Sequence, residues 1–254
     1  MSPRHFSPAE LAAYARDGFL VVPGLFDAGE VAALRAWTDE VQAWPELHGR
    51  WMVYGEPSLT EPARRLINRI ENFYPYHPGF KGLFDGEKLA GRVGELFGEP
   101  AVLFKDKINF KLPGGDGFKP HQDQQAGWSA YARLFVTALV AIDAATAENG
   151  CLELAAGHHT RGLIGREWAP LTEEEMRGMA FVPHPARPGD VAFFDSYVPH
   201  RSGPNLTAEP RRVLYVTYNR ASEGDHRLRY YADKRKSYPP DCEREPGKQY
   251  VYKV

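Results

Sequence analysis

The sequence predicts a mainly β fold, one antiparallel sandwich or barrel with helices flanking it, and three observations carry that expectation. Helix signals crowd the first third of the 254-residue chain. After Pro100 the apolar residues change from a helical period to a period of two. Short strand candidates then follow one another with Gly, Pro and Asn clusters between them, as antiparallel sheets require. No repeat, low-complexity run or linker divides the chain. The expectation is a single domain over 1–254, with a helical part to about 99, a core over about 100–220 and an arm over 221–254.

Each element has its own signal. Ser7, Pro8 and Glu10 form a capping box with proline at the first helical position, and Gly18 should end that helix. FLVV at 19–22 reads as a short strand. Asp27 and Glu30 repeat the cap, and Val31, Leu34, Trp37, Val41 and Trp44 recur at helical spacing to give an apolar face. Trp37 and Trp44 are therefore read as core. A third helix should run from about Asp85 to Phe97 and stop at Gly98.

In AVLFKDKINFKLP, Val102, Phe104, Ile108, Phe110 and Leu112 share one face, while Lys105, Lys107, Asn109 and Lys111 share the other. This is the alternation of a half-buried strand, and it places the lysines on a solvated face. Further strands are expected at 134–143, 150–157, 190–195 and 211–219. The stretch 158–188 reads as a long insertion with a short helical patch at TEEEMRGM. The tail DKRKSYPPDCEREPGK is polar and proline-rich, an ordered or semi-ordered arm. The run RLRYYADKRK at 227–236 reads first as solvated surface and second as a segment closing over an anionic group.

Bulk properties narrow the function classes. Apolar residues make up 43% and charged residues 25% of the chain, the composition of an ordinary globular domain. The formal net charge of −2 gives no reason to invoke nucleic acid or an anionic membrane. Two cysteines, Cys151 and Cys242, make no disulfide framework and no zinc spacing. No secretory signal is visible at the start, and no stretch nears the roughly 18 apolar residues of a membrane span. A cytoplasmic protein is expected. Nothing sets an oligomeric state.

The chemistry lies in two peptides. KPHQDQQAGW holds His121 and Asp123 as His-x-Asp, and residues two apart on an extended strand point to one side. FFDSYVPHRSGPN supplies His200 just after a strong strand candidate. Two histidines and one carboxylate on one side of an ion leave coordination positions free, which suits a non-haem Fe(II) that must also bind a cosubstrate and O2. Arg211 stands eleven residues after His200, where a guanidinium can grip the distal carboxylate of 2-oxoglutarate with paired hydrogen bonds. Ser202 can add a hydroxyl donor to the same carboxylate.

These residues, with ENGCLELAAGHH at 148–159, RPGDVAFFDSYVPHRSGPN at 187–205 and INFKLPGG before the His-x-Asp, resemble the phytanoyl-CoA dioxygenase family of Fe(II)/2-oxoglutarate oxygenases. That family includes ectoine hydroxylases and bacterial phosphonate hydroxylases. The resemblance implies a double-stranded β-helix, or jelly-roll, core. It implies His121, Asp123 and His200 as iron ligands, and Ser202, Arg211 and, more weakly, Asn109 as 2-oxoglutarate ligands. It departs from the family at Gly157-His158-His159, where Gly-Ser-His is usual. The histidine doublet is read as a solvated loop rather than a second metal site. His5, His48, His77, His184 and His226 have no partner pattern and are read as structural. Phe73, Tyr74, Tyr131 and Tyr218 are read as packing or pocket walls.

The expected reaction is hydroxylation of an unactivated C–H bond in a small metabolite, with release of succinate and CO2. Asp123 favours hydroxylation over halogenation, since the related halogenases lack that carboxylate. The resemblance to phosphonate hydroxylases and the basic C-terminal run favour a small anion such as an aminoalkylphosphonate. An amino-acid-like or natural-product substrate is the alternative. An acyl-CoA is disfavoured because no extended basic surface awaits its nucleotide. A non-catalytic metal-binding jelly roll, or a metal-dependent hydrolase or isomerase of cupin type, would need no arginine in register with His200.

Overall fold

A computed structural model of the chain describes residues 4–250; the first three residues, and the last four of the expected arm, lie outside the described residues. The chain begins with α1 (Pro8–Asp17), capped by Ser7 and Glu10 and closed by Gly18 at φ 83°. β1 (Phe19–Val22) leads into α2 (Ala28–Gln42), whose Asp27–Glu30 capping box is likewise formed. A hairpin follows, β2 (Met52–Pro57) and β3 (Arg65–Glu71). The alternation in these two segments is broken by charged residues and by a register shift at Tyr54/Gly55, so they were hidden inside a stretch read as helical. The expected third helix starts earlier, as α3 (Pro78–Asp85). A π-turn over Glu87–Gly91 joins α3 to α4 (Arg92–Phe97), which ends at Gly98 as the sequence requires.

The strands of the second half are β4 (Ala101–Lys111), β5 (Phe118–His121), β6 (Phe135–Ala141), β7 (Leu152–Leu154), β8 (Val182–His184), β9 (Val191–Asp195), β10 (His200–Ser202) and β11 (Arg211–Arg220). Seven strands form one sheet in the order β1-β9-β6-β11-β4-β3-β2, and four form the other in the order β5-β10-β7-β8. All pairings are antiparallel. The two facing sheets make the expected jelly-roll core. The patch at 172–179 forms turns rather than a helix. Thr172 and Glu175 make the cap hydrogen bonds, but Gly178 at φ 80° stops the segment before a helix can propagate.

Both faces of the large sheet are covered. Its outer face puts Ile108, Phe110, Val140, Phe193 and Leu214 against Val31, Leu34, Phe80, Phe84 and Val93 of the helices. Each such side chain contributes about 1.5–3 kcal/mol on burial. Its inner face and the small sheet enclose Leu139, Leu152, Leu154, Phe194, Val198 and Val213. This overturns the solvated reading of the lysine stripe: Lys105 and Lys111 are buried, and Lys107 lines an interior pocket. The alternation holds from Lys105 to Lys111, but at the register shift opposite Thr217 and Tyr218 Phe104 leaves the Ile108 face and packs with Trp128 and Phe135, and a period of two cannot distinguish water from a polar interior.

The basic run also departs from its first reading. Residues Arg227–Ser237 form a helix, α5, whose Arg227, Tyr230, Tyr231 and Lys234 are buried. Arg227 donates to Asp106 Oδ1 at 2.9 Å, and the Tyr231 hydroxyl bonds the Asp106 backbone. Lys234 pairs with the buried Glu71. Helical spacing of 227, 230, 231 and 234 gathers these polar groups into one buried stripe, which their charge obscured. Past α5, Asp241 accepts from Gly55 N and Arg65, so the expected arm is tied down through β2 and β3. Among the described residues no helix is long and apolar enough to cross a membrane.

Candidate metal centre and active site

His121 ends β5 and His200 opens β10, and the antiparallel ladder places them directly opposite each other. Their rings lie 4.3 Å apart. Gln122 is extended and buries its amide on the far side, against Gly162 O and Tyr197 O. Asp123 therefore returns to the side of His121, as the two-residue spacing predicts, although the strand has by then turned into a 3-10 turn. Asp123 Oδ1 lies 4.0 Å from His121 Nε2 and 3.9 Å from His200 Nε2. The three ligand atoms fall within 4.8 Å of one another. They are too far apart to bond one another and close enough to converge on one ion. Among the described residues this is the one cluster of its kind. His158 and His159 take no part in it.

Backbone carbonyls orient the rings. His121 Nδ1 lies 2.7 Å from Lys119 O, and His200 Nδ1 lies 3.0 Å from Val198 O. Each Nδ1 thus carries the proton and each Nε2 lone pair faces the cluster. Burial, with His200 alongside, pushes the His121 imidazole down to about 3, which keeps it neutral. For Asp123, burial works to raise the carboxyl, but the two histidines and then Lys107 and Lys105 pull it below its ordinary range. Thr137 Oγ lies 3.4 Å from Asp123 Oδ2. Two imidazole Nε2 atoms and an ionised carboxylate are the donor set that a divalent ion accepts.

A pocket of about 480 Å³, its open mouth included, adjoins the cluster. Its walls include Lys107, Asn109, Trp128, Leu152, Ser202 and Tyr215. Asn109 Oδ1 is buried without a partner. Arg211, only 1% exposed, donates Nη2 to Gly150 O and interacts with the Tyr215 phenol, while among the described residues its Nε and Nη1 meet no acceptor at hydrogen-bond geometry. Burial raises the Tyr215 phenol to about 12 against the pull of Arg211 and Asn109. Buried polar atoms without partners cost free energy unless a ligand meets them. Unmatched donors on Arg211 fit a small dicarboxylate such as 2-oxoglutarate.

The sequence residues are thus brought together: three at the cluster, and Ser202 and Asn109 on the pocket wall. Sequence reasoning missed three neighbours. Tyr215 lies on the Arg211 strand with period-two spacing, a signal that was available. Lys111 lies in the interior rather than on the solvated face its alternation suggests. Gly150 sits at φ 76°, and a Cβ there would lie 2.1 Å from Gly203 O, so only glycine lets these two turns meet.

Around Glu71 the charge is dense. Glu71 is buried, with Arg69 at 2.9 Å, Lys105 at 3.9 Å and Lys234 in contact. Burial works to raise its carboxyl, and Lys105, Lys234 and Arg69 hold it far below the ordinary range. Lys107 Nζ lies 4.3 Å over the Tyr215 ring.

Comparison with known proteins agrees with this chemistry. Residues 14–213 match the family described as Phytanoyl-CoA dioxygenase (PhyH). The chain is 40% identical to a 2-aminoethylphosphonate dioxygenase from uncultured bacterium HF130_AEPn_1, over 97% of this chain and 94% of that one. It is 41% identical to a methylphosphonate hydroxylase from Gimesia maris, over 91% and 87% of the two chains. Among solved structures, EctD from S. alaskensis with 2-oxoglutarate and 5-hydroxyectoine superposes with a TM-score of 0.72 at 26% identity, covering 86% of this chain and 77% of that one.

Proposed function

We propose a substrate from one premise: the chain belongs to the phytanoyl-CoA dioxygenase family and is a 2-oxoglutarate-dependent dioxygenase that uses Fe(II). The substrate we infer is a small phosphonate, hydroxylated at a C–H bond. The observation that carries this reading is the pair Lys105 and Lys107, which face the pocket beside the metal cluster.

Charge bookkeeping supports an anion. A divalent ion and Arg211 would together balance Asp123 and a dianionic 2-oxoglutarate. That leaves Lys105 and Lys107 facing the pocket, with Lys105 3.9 Å from a Glu71 that Lys234 also holds. Burial, with Lys105 alongside, pushes the Lys107 ammonium down to about 7, and an anion seated beside it would restore the charge. A phosphonate supplies up to two negative charges and several acceptor oxygens. The two relatives near 40% identity are named for phosphonates.

In this reading His121, Asp123 and His200 hold the iron, and Arg211, Ser202 and Asn109 receive 2-oxoglutarate. Bound iron, with 2-oxoglutarate and O2, supplies the oxidising power, and succinate and CO2 leave as C–H becomes C–OH. The chain's own residues do the rest. Lysines 105 and 107 pin the anionic head, so that the carbon beside it faces the metal cluster. Trp128, Leu152 and Tyr215 wall the pocket against water. With iron bound, Asp123 would fill the coordination position that a halide would need. A cytoplasmic setting accords with the two cysteines, both unpaired.

The test is succinate formation with methylphosphonate and 2-aminoethylphosphonate against their carboxylate analogues. Phosphonates should give the larger kcat/KM. Lys107→Met should raise the phosphonate KM about tenfold or more, the loss of one charge-assisted contact, and leave 2-oxoglutarate binding unchanged. Equal or better turnover of the carboxylates would overturn the phosphonate reading.

A further inference from the structure

Among the described residues, one buried lysine beside Arg211 has no ion-pair partner. Lys111, 2% exposed, closes β4 directly opposite Arg211 at the start of β11. Its Nζ donates to Ser202 Oγ at 2.7 Å and to Gly203 O, and lies 3.4 Å from Gly150 O. Gly150 O also receives Arg211 Nη2. Two buried cations therefore share one carbonyl. Glu56, Asp116 and Cys151 lie in their neighbourhood, but Glu56 is engaged by Asn68 Nδ2 and by Asp116 N. Burial and then Arg211 push the Lys111 ammonium down to about 6.

Charged, as a carboxylate seated beside Arg211 would keep it, Lys111 can only donate, so Ser202 Oγ accepts from it and must turn its own O–H elsewhere. Among the described residues, Nε and Nη1 of Arg211 likewise meet no acceptor at hydrogen-bond geometry, although the Tyr215 phenol lies beside the guanidinium. We propose that Lys111 is a positioning residue for the distal carboxylate of 2-oxoglutarate. It fixes the Ser202 hydroxyl as a donor and places a second positive charge behind the Arg211 seat. The proposal rests on the assignment of Arg211 and Ser202 to 2-oxoglutarate made above. The lysine also joins β4, β10 and the turn at Gly150, so a purely structural role is the competing account.

Anaerobic titration of Fe(II)-loaded protein with 2-oxoglutarate, read by the visible charge-transfer band, separates the two. Lys111→Met should move the midpoint about tenfold or more to higher 2-oxoglutarate, the usual effect of losing a hydrogen bond to a charged group. At saturating 2-oxoglutarate its kcat should return to within about threefold of the parent, a split that places the effect on binding. The phosphonate KM should hold. Lys111→Arg, which keeps the charge, should recover part of the affinity. Ser202→Ala should weaken 2-oxoglutarate as well, and the double variant should fall short of the sum of the two. An unchanged midpoint in Lys111→Met, or additive effects in the double variant, would reduce Lys111 to a strut. Should Lys111→Met fail to fold, Lys111→Arg and Ser202→Ala with their double variant decide by the same additivity. No band in the parent protein would instead sink the 2-oxoglutarate assignment beneath the proposal.

Discussion

His121 and His200 each direct Nδ1–H to a carbonyl two residues back in the chain, Lys119 O and Val198 O. The same local geometry sets both tautomers, so neither ring depends on a distant partner to present Nε2. His121→Ala and His200→Ala should therefore abolish iron binding while leaving the fold close to intact, as read by metal analysis and circular dichroism. Arg211→Ala should keep the iron. Its 2-oxoglutarate midpoint should rise roughly 100-fold or more, because paired hydrogen bonds between ions are lost. A near-parental midpoint in Arg211→Ala would refute the role given to that residue. At this scale the sequence was highly legible. The His-x-Asp spacing, His200 and Arg211 all declare themselves by residue type and offset. Lys111 did not, because a lysine in an alternating strand looks the same whether its face meets water or a buried carbonyl cluster.

Asp106 shows what the elements add. It sits on β4 and accepts from Phe73 N at 2.7 Å and Tyr74 N at 2.9 Å, and it holds Arg227 and Tyr231 of α5. One buried carboxylate thus joins the β3–α3 turn, β4 and the C-terminal helix. Arg227→Met should cost about 3–5 kcal/mol of unfolding free energy, the usual penalty for leaving a buried ion without its partner, and urea denaturation will read it. A loss under about 1 kcal/mol would mean that Phe73 N, Tyr74 N and Tyr231 already satisfy the carboxylate. Helix caps at Ser7 and Asp27 were readable because capping is a local bargain between neighbouring residues. The β2–β3 hairpin and α5 were not. Their stability comes from partners far along the chain, such as Glu71 for Lys234 and Asp106 for Arg227.

For the molecule as a whole, a net charge of −2 conceals an interior rich in buried cations. That arrangement ties stability to pH. Burial and then the neighbouring Arg211 push the folded Lys111 ammonium down to about 6, against an ordinary 10.5 when unfolded. Between these values the unfolded chain binds more protons, so stability rises with pH across the window. The slope from this lysine alone is up to about 1.4 kcal/mol per pH unit. Denaturation measured without added anions at about pH 6.5, 7.5 and 8.5 should show the rise. Saturating 2-oxoglutarate should flatten it by restoring the ammonium. A fall in stability with pH over this range would count against a depressed Lys111. The jelly-roll class was legible from the change of hydrophobic period. Which face of its large sheet meets polar groups was not, because that depends on the second sheet closing over the first.

The pairing of His121 with His200 has one more consequence. β5 and β10 meet at the register pairs His200↔His121 and Ser202↔Phe118, with an irregularity between them. So short a ladder between segments distant in the chain holds few hydrogen bonds of its own. An ion gripped by both histidines would act as a stitch across that seam, closing a long loop whose free ends would otherwise carry the entropy of separation. Stripping the iron should then unpick the seam before the rest of the fold, with amide exchange quickening first at 118–121 and 200–202. Ser202 rides on the same seam, so the seat for 2-oxoglutarate would loosen with it.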